Sequence, residues 1–209
     1  MTPTDHFISL EGIEGAGKST LARALEAALR ERGHSVLVTR EPGGSPLAER
    51  LRALLLERGD ERITPDAETL LMFAARSIHI ENRIRPALDQ GAWVICDRFT
   101  DATRAYQGAG RGVDAALIER LARSVHAELW PRRTLVLDLP VELGLARAGA
   151  RRRGGDRFED EDRRFFERVR QRYLMLASDE PQRVRVIDAT APPPQVLASA
   201  LAAVADLLP

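Results

Sequence analysis

The sequence predicts an α/β fold, a five-stranded parallel sheet flanked by helices. Three observations predict it. Short apolar runs of strand length alternate with longer stretches of helical periodicity, the rhythm of βαβ units. The first run leads into a glycine-rich loop and then an amphipathic helix. The 209 residues, 44% hydrophobic and 30% charged, have the balance of a globular chain long enough to bury a full core. The expectation is a single domain spanning 1–209.

The elements follow in order. Residues 7–10, Phe-Ile-Ser-Leu, read as the first strand. Residues 18–32 place Leu21, Leu25, Ala28 and Leu29 on one helical face, and Gly33 stops that helix. A second strand covers 36–38 and runs into Thr39-Arg40-Glu41-Pro42-Gly43-Gly44, where Pro-Gly-Gly demands a loop. Helices are predicted over 47–56 and 66–90, the latter bent before Pro86. A third strand, 93–96, ends at Asp97-Arg98. The Gly108-Ala109-Gly110 stretch reads as a loop, followed by a helix over 113–129. The fourth strand is 134–137, with a helix from about 140 to 151. Residues 151–157, Arg-Arg-Arg-Gly-Gly-Asp-Arg, break the pattern before a helix over 159–177. A fifth strand at 184–187 and a final Leu/Ala-rich helix after the Pro192-Pro193-Pro194 run complete the chain.

The chemistry is concentrated in the first loop. Gly12-Ile13-Glu14-Gly15-Ala16-Gly17-Lys18-Ser19 fits G-x-x-x-x-G-K-[ST], with a predicted strand before it and a helix after it. Glycines let successive N–H groups wrap a phosphate chain, and the helix contributes its positive dipole end. Residues 12–20, ending in Thr20, are thus the expected nucleoside triphosphate site of a P-loop NTPase fold. Lys18 reaches the β- and γ-phosphates and Ser19 ligates Mg²⁺. Of the 31 lysines and arginines, Lys18 is the only lysine. A chain that uses arginine everywhere else keeps a compact ammonium here, and the two groups are not interchangeable.

Composition excludes other classes. Formal net charge is +0 and there is no basic tail, which argues against a protein held on nucleic acid by bulk charge. Cys96 is the only cysteine, so an intramolecular disulfide and a cysteine-rich zinc site are excluded. Its apolar surroundings make it a buried core thiol. The N-terminal residues show no basic-then-apolar signal pattern, and no apolar run approaches the ~20 residues that span a bilayer. The expectation is a cytoplasmic protein without nucleic-acid or membrane partners. A GTPase switch needs an Asn-Lys-x-Asp motif, which a chain whose one lysine is Lys18 cannot hold.

Further residues converge on the carboxyl ends of the strands, where ligands of open α/β sheets bind. Asp97 is placed to help position Mg²⁺, unless it only caps a turn. Arg98 beside it can hold a second phosphate bidentately. Arg40 and Glu41 follow the second strand, and Gln107 and Arg111 flank the glycine-containing loop. Arginines 151–157 in a glycine-broken segment suit a lid, about 147–158, over a transferring phosphate. The residues alone leave open a kinase for another nucleoside monophosphate or a small metabolite on the same fold.

Four stretches carry a more specific likeness. Glu11-Gly12-Ile13-Glu14-Gly15-Ala16-Gly17-Lys18-Ser19-Thr20, Thr39-Arg40-Glu41-Pro42-Gly43-Gly44, Phe73-Ala74-Ala75-Arg76, and Asp97-Arg98-Phe99 through Ala105-Tyr106-Gln107-Gly108 resemble bacterial thymidylate kinases. The likeness runs in order over nearly the whole chain. It implies a nucleoside monophosphate kinase-like fold, transfer of the γ-phosphoryl of ATP to dTMP with Mg²⁺, and a homodimer. It assigns Arg98, Arg40 and Arg52 to the dTMP phosphate and Glu41 to organising the phosphate and metal region. Arg76 bonds the thymine carbonyl, and Thr103 and Gln107 read other base edges. Tyr106 crowds the ribose 2′ position, and Glu14 counts among the dTMP contacts. Because Ile13, Glu14 and Ala16 include no base, the likeness implies that lid arginines Arg151, Arg152, Arg153 and Arg157 supply the missing charge, with Arg153 and Arg157 foremost in catalysis.

The sequence also departs from the family's pattern. The stacking aromatic is expected four residues before Arg76. That place holds Met72, while Phe73 lies three before, so either side chain is a candidate for the thymine ring, and ordinary core packing remains open for Phe73 and for Tyr106. Arg104 stands where an uncharged residue is expected and reads as solvent-facing. Ala109 interrupts a stretch that is often three glycines.

Overall fold

β1 (Phe7–Glu11) is buried at every position and lies at the centre of the sheet. The computed structural model describes residues 4–57, 61–127, 129–150 and 161–208. Within them the strands are β2 (Val36–Arg40), β3 (Trp93–Asp97), β4 (Arg133–Asp138) and β5 (Val184–Asp188). They form one parallel sheet in the order β2-β3-β1-β4-β5. β1, β3 and β4 are buried at every position but the last of β3 and β4, because helices cover both faces of a parallel sheet, and their buried polar residues Ser9 and Thr134 bond each other at 2.8 Å. The expected five-stranded α/β architecture is what forms.

The helices are α1 (Lys18–Glu31), α2 (Pro46–Leu56), α3 (Pro65–His79), α4 (Arg85–Asp89), α5 (Thr100–Thr103), α6 (Ala115–Val125), α7 (Val141–Gly149), α8 (Arg163–Asp179) and α9 (Pro193–Ala203). The main core joins α1, α8 and α9 to the sheet through Leu21, Leu25, Phe166, Val169 and Ala200. A second cluster on Phe7, Val94, Cys96 and Phe99 receives Ile80, Ile84 and Leu88. Cys96 is the buried thiol expected, its pKa pushed well up by burial. No helix among the described residues is long and apolar enough to cross a membrane.

Three segments differ from expectation. The helix predicted over 66–90 does not simply bend before Pro86. It widens into a π-helical turn, Ile80–Ile84, in which Arg85 N–H reaches back five residues to Ile80. The wider turn sits just ahead of a proline that has no N–H to give. The glycine-containing stretch read as a loop is also π-helical, Arg104–Gly110, with Arg111 N–H bonded to Tyr106 at 3.0 Å. It packs on α8, where a Cβ on Gly110 would strike Phe165. The next helix starts at Ala115 because Asp114 caps it, accepting from Ala116 N–H at 3.0 Å, and it ends at Val125, short of the predicted 129.

Candidate active site

The site forms where β1, β2 and β3 end, in a cleft of about 370 Å³. The phosphate loop wraps its floor. Gly15 adopts φ 73° and lies against Gly144 of α7, where a Cβ would collide with the Gly144 carbonyl. Gly17, at φ 94°, turns the chain into α1. Only glycine takes both positions without strain. Lys18 opens that helix, and its ammonium donates to the Gly12 and Ile13 carbonyls at 3.1 and 3.0 Å. Burial lowers the Lys18 pKa, and the charge of Arg98 lowers it further. Ser19 Oγ donates to Asp97 Oδ2 at 3.0 Å, pairing a hydroxyl with a carboxylate at the mouth of the loop. Gly12, Ile13 and Ala16 support the loop from beneath, and Thr20 faces outward.

Arg98 follows β3 with φ 73°, a left-handed backbone unusual for an arginine. Its neighbours hold that conformation. Arg98 N–H donates to the Leu10 carbonyl at 2.9 Å, and Phe99 N–H donates to Glu11 Oε1 at 2.7 Å. The guanidinium donates to Glu14 Oε1 and Tyr106 Oη, each at 2.8 Å, and lies 4.4 Å over the Tyr106 ring. Tyr106 Oη in turn donates to Glu14 at 2.8 Å. A strained residue fixed by this many partners is characteristic of functional positions.

Beneath Arg98 lies a carboxylate to which no role was assigned from sequence. Glu11 is fully buried and accepts from Tyr173 Oη of α8 at 2.7 Å. Burial pushes its pKa up to about 8, assisted by the charge of Asp101 and opposed by Arg98. Glu11 was legible as part of a motif, but Tyr173, 162 residues away, was not.

The other end of the cleft is lined by Met72, Arg76, Thr103 and Gln107. Arg76 Nε donates to Glu41 Oε2 at 2.7 Å, and its Nη2 donates to Thr103 Oγ1 at 3.1 Å. His79 Nδ1 meets Glu41 Oε1 at 3.0 Å. Burial works to raise the Glu41 pKa, but Arg76 and His79 outweigh it and leave the carboxylate lowered. Glu41 thus lines the cleft with both oxygens engaged, by Arg76 and His79. Glu68, also buried, accepts from Gln107 Nε2 at 2.7 Å and from Arg111 at 2.8 Å. Residues 68, 72, 76 and 79 recur at helical spacing on α3, a signal in the sequence that would have found Glu68 and His79.

Two expectations need correction. Phe73 is not part of the cleft lining: it packs with Val113, Ile118 and Ala122, and the Arg76 guanidinium lies 4.8 Å over its ring. One step round the helix from Met72, it faces a core and supports Arg76 from behind. Arg104 does not face solvent. It is bound by Glu119 at 2.8 Å and Asp101 at 3.1 Å and covers the Trp130 ring. Arg40 and Arg52 reach the cleft rim, where Arg40 pairs with Glu49 at 3.0 Å and Arg52 donates to the Pro42 carbonyl at 2.8 Å. Arg151, Arg152, Arg153 and Arg157 lie outside the described residues, as does most of the expected lid.

A phosphate loop, a hydroxyl–carboxylate pair and an arginine-walled second compartment therefore share one cleft. A profile of the thymidylate kinase family matches residues 10–200. The chain belongs to the thymidylate kinase family. It is a nucleoside monophosphate kinase, a phosphotransferase with a P-loop fold. Relatives within the family include the thymidylate kinase of Ectopseudomonas mendocina, 56% identical over 206 residues, 99% of this chain and 96% of that one. That of Alcanivorax borkumensis is 54% identical over 186 residues, 89% of each chain. The crystal structure of thymidylate kinase from Ehrlichia chaffeensis superposes with a TM-score of 0.75 at 33% identity, covering 94% of this chain and 96% of that one.

Proposed function

We propose that this thymidylate kinase family member transfers the γ-phosphoryl group of ATP to dTMP, giving dTDP and ADP, with the residues above in defined roles. The observation that supports it best is the single cleft holding Lys18 and the Ser19–Asp97 pair at one end and Arg76, Thr103 and Gln107 at the other. Arg98 stands between them.

ATP lies along the loop of residues 12–20, with Lys18 exchanging its carbonyl partners for the β- and γ-phosphates. A hydroxyl beside a carboxylate suits Mg²⁺, a hard cation that takes oxygen ligands. When bound there, Mg²⁺ neutralises charge developing on the phosphates. Arg98 holds the dTMP phosphate in line, helped by Arg40 and Arg52 at the rim. The attacking atom is already a phosphate oxygen, so no general base is required. The lid arginines, Arg153 and Arg157 foremost, supply charge to the equatorial oxygens, an effect worth roughly 10³–10⁵ in related systems. Arg76 and Gln107 read thymine, Met72 packs against its ring, and Tyr106 beside Glu14 borders the sugar.

The working unit we propose is a homodimer in the cytoplasm, with no nucleic-acid or membrane partner. Leu47 and Leu54 of α2 and Leu70 of α3, each about half exposed, offer an apolar face for pairing. ADP release measured side by side with dTMP, dUMP, dCMP, dGMP and gluconate tests the reaction. Preference for dTMP is expected, and equal or absent dTMP activity refutes it.

A further inference from the structure

Gln107 is an amide and can offer a cleft either its carbonyl oxygen or its NH₂. In this protein the choice is made by a residue behind it. Glu68 is buried at 1% exposure on α3, and its Oε1 accepts from both Gln107 Nε2 and Arg111 Nε, at 2.7 and 2.8 Å. A carboxylate paired with a guanidinium accepts hydrogen bonds and donates none. The amide nitrogen of Gln107 is therefore drawn to Glu68, and Oε1 is the amide atom left without a protein hydrogen bond among the described residues.

The neighbouring arginine supplies the complement. Arg76 spends Nε on Glu41 and Nη2 on Thr103, while Nη1 is buried and has no hydrogen-bond partner among the described residues. Such a group is costly unless something fills the need. Arg76 and Gln107 both line the cleft, so one lining residue carries an unspent donor and the other an unspent acceptor. A pyrimidine with a C4 carbonyl next to N3–H matches both. Cytosine presents an amino group and a bare N3, the reverse at both places.

We propose that Glu68 is a specificity-positioning residue: its carboxylate locks the Gln107 amide with the carbonyl towards the base, so that an N3–H is accepted and a bare N3 refused. This rests on the reading of Gln107 and Arg76 as the base-reading pair. Glu68 touches no substrate. It acts through Gln107, and Arg111 keeps it in place.

The test is the ratio of kcat/KM for dTMP to that for dCMP. Glu68→Gln retains size and can donate as well as accept, so it permits the Gln107 amide to turn. The ratio should fall about tenfold, the worth of one ordinary hydrogen bond, with the ATP KM unchanged. The C4 contribution from Arg76 is common to wild type and variant and cancels in the comparison. In a Gln107→Leu background, Glu68→Gln should lower the ratio no further. If Gln107→Leu lowers the ratio and Glu68→Gln alone leaves it at the wild-type value, the base reading stands and the positioning role is overturned. If Gln107→Leu leaves the ratio unchanged, the base reading itself fails and this proposal with it. Should Glu68→Gln not fold, nitrogen NMR of the wild-type protein decides. The Gln107 side-chain NH₂ should keep its carboxylate-bonded signal when dTMP is added, and its transfer to the ligand overturns the proposal.

Discussion

Arg98 and Glu14 meet at 2.8 Å across the mouth of the phosphate loop, each side chain 18% exposed. Glu14 also accepts from Tyr106 Oη, so one carboxylate orients both the guanidinium and the phenol that border the second compartment. A charge-assisted bond of this kind is about twice as strong as a neutral one. Glu14→Gln keeps the shape and removes the charge. kcat/KM for dTMP should fall about 10–100-fold, while the ATP KM shifts by less than about threefold. Steady-state kinetics with each substrate varied in turn measures this, and equal losses on both would move the role of Glu14 to the triphosphate.

Lys18 donates to two loop carbonyls and is not a member of the apolar core. Lys18→Ala should therefore lower kcat by at least about 10²–10³, the usual effect of removing one charge stabiliser, with a fall in Tm of only a few degrees. Lys18→Arg should fail similarly, because a planar guanidinium does not fit between Gly12 and Ile13. Turnover by either variant near that of wild type refutes the role.

Most of the architecture was legible because it obeys local rules. β1, β3 and β4 each carry a short, mostly apolar run, and the loop of 12–20 carries its own glycine and lysine pattern. What escaped depends on contacts distant in the chain. Tyr173 reaches Glu11 from 162 residues away, and nothing local marks it. Phe73 and Met72 differ by one step of helix, about 100°, and a single sequence does not reveal which one faces the cleft. The π-helical stretch of Arg104–Gly110 defied its glycines because packing on α8 overrides local preference. Arg104 read as a surface charge because its partners, Asp101, Glu119 and Glu180, come from three separate elements.

Gly144 was not singled out from sequence, yet α7 can approach the phosphate loop only because it lacks a side chain. A Cβ there would sit 2.7 Å from the Glu14 carbonyl oxygen and 2.8 Å from Ile13 Cδ1. Backbone on one side leaves little room to yield. Gly144→Ala should cost about 1–3 kcal/mol, as overpacking usually does, and raise the KM of ATP by displacing the loop. Thermal melts together with ATP-dependent kinetics check it. An unchanged melting point and KM would show that α7 moves aside freely.

Glu11 gives the chain a pH dependence whose sign can be worked out. Its pKa rises from an ordinary 4.5 to about 8 in the folded protein, chiefly through burial. Between those values the folded state holds a proton that the unfolded state has lost. The resulting stability is fully present below pH 4.5, declines across the interval, and is gone above about 8. Glu11→Gln cannot titrate and should lack that slope. The Tm difference between variant and wild type should therefore move in the variant's favour by roughly 5 °C or more between pH 5.5 and 8.5. Tm curves that run parallel over that range would mean that Glu11 is ionised in the folded protein, held by Arg98, Tyr173 and the Phe99 N–H strongly enough to overcome its burial.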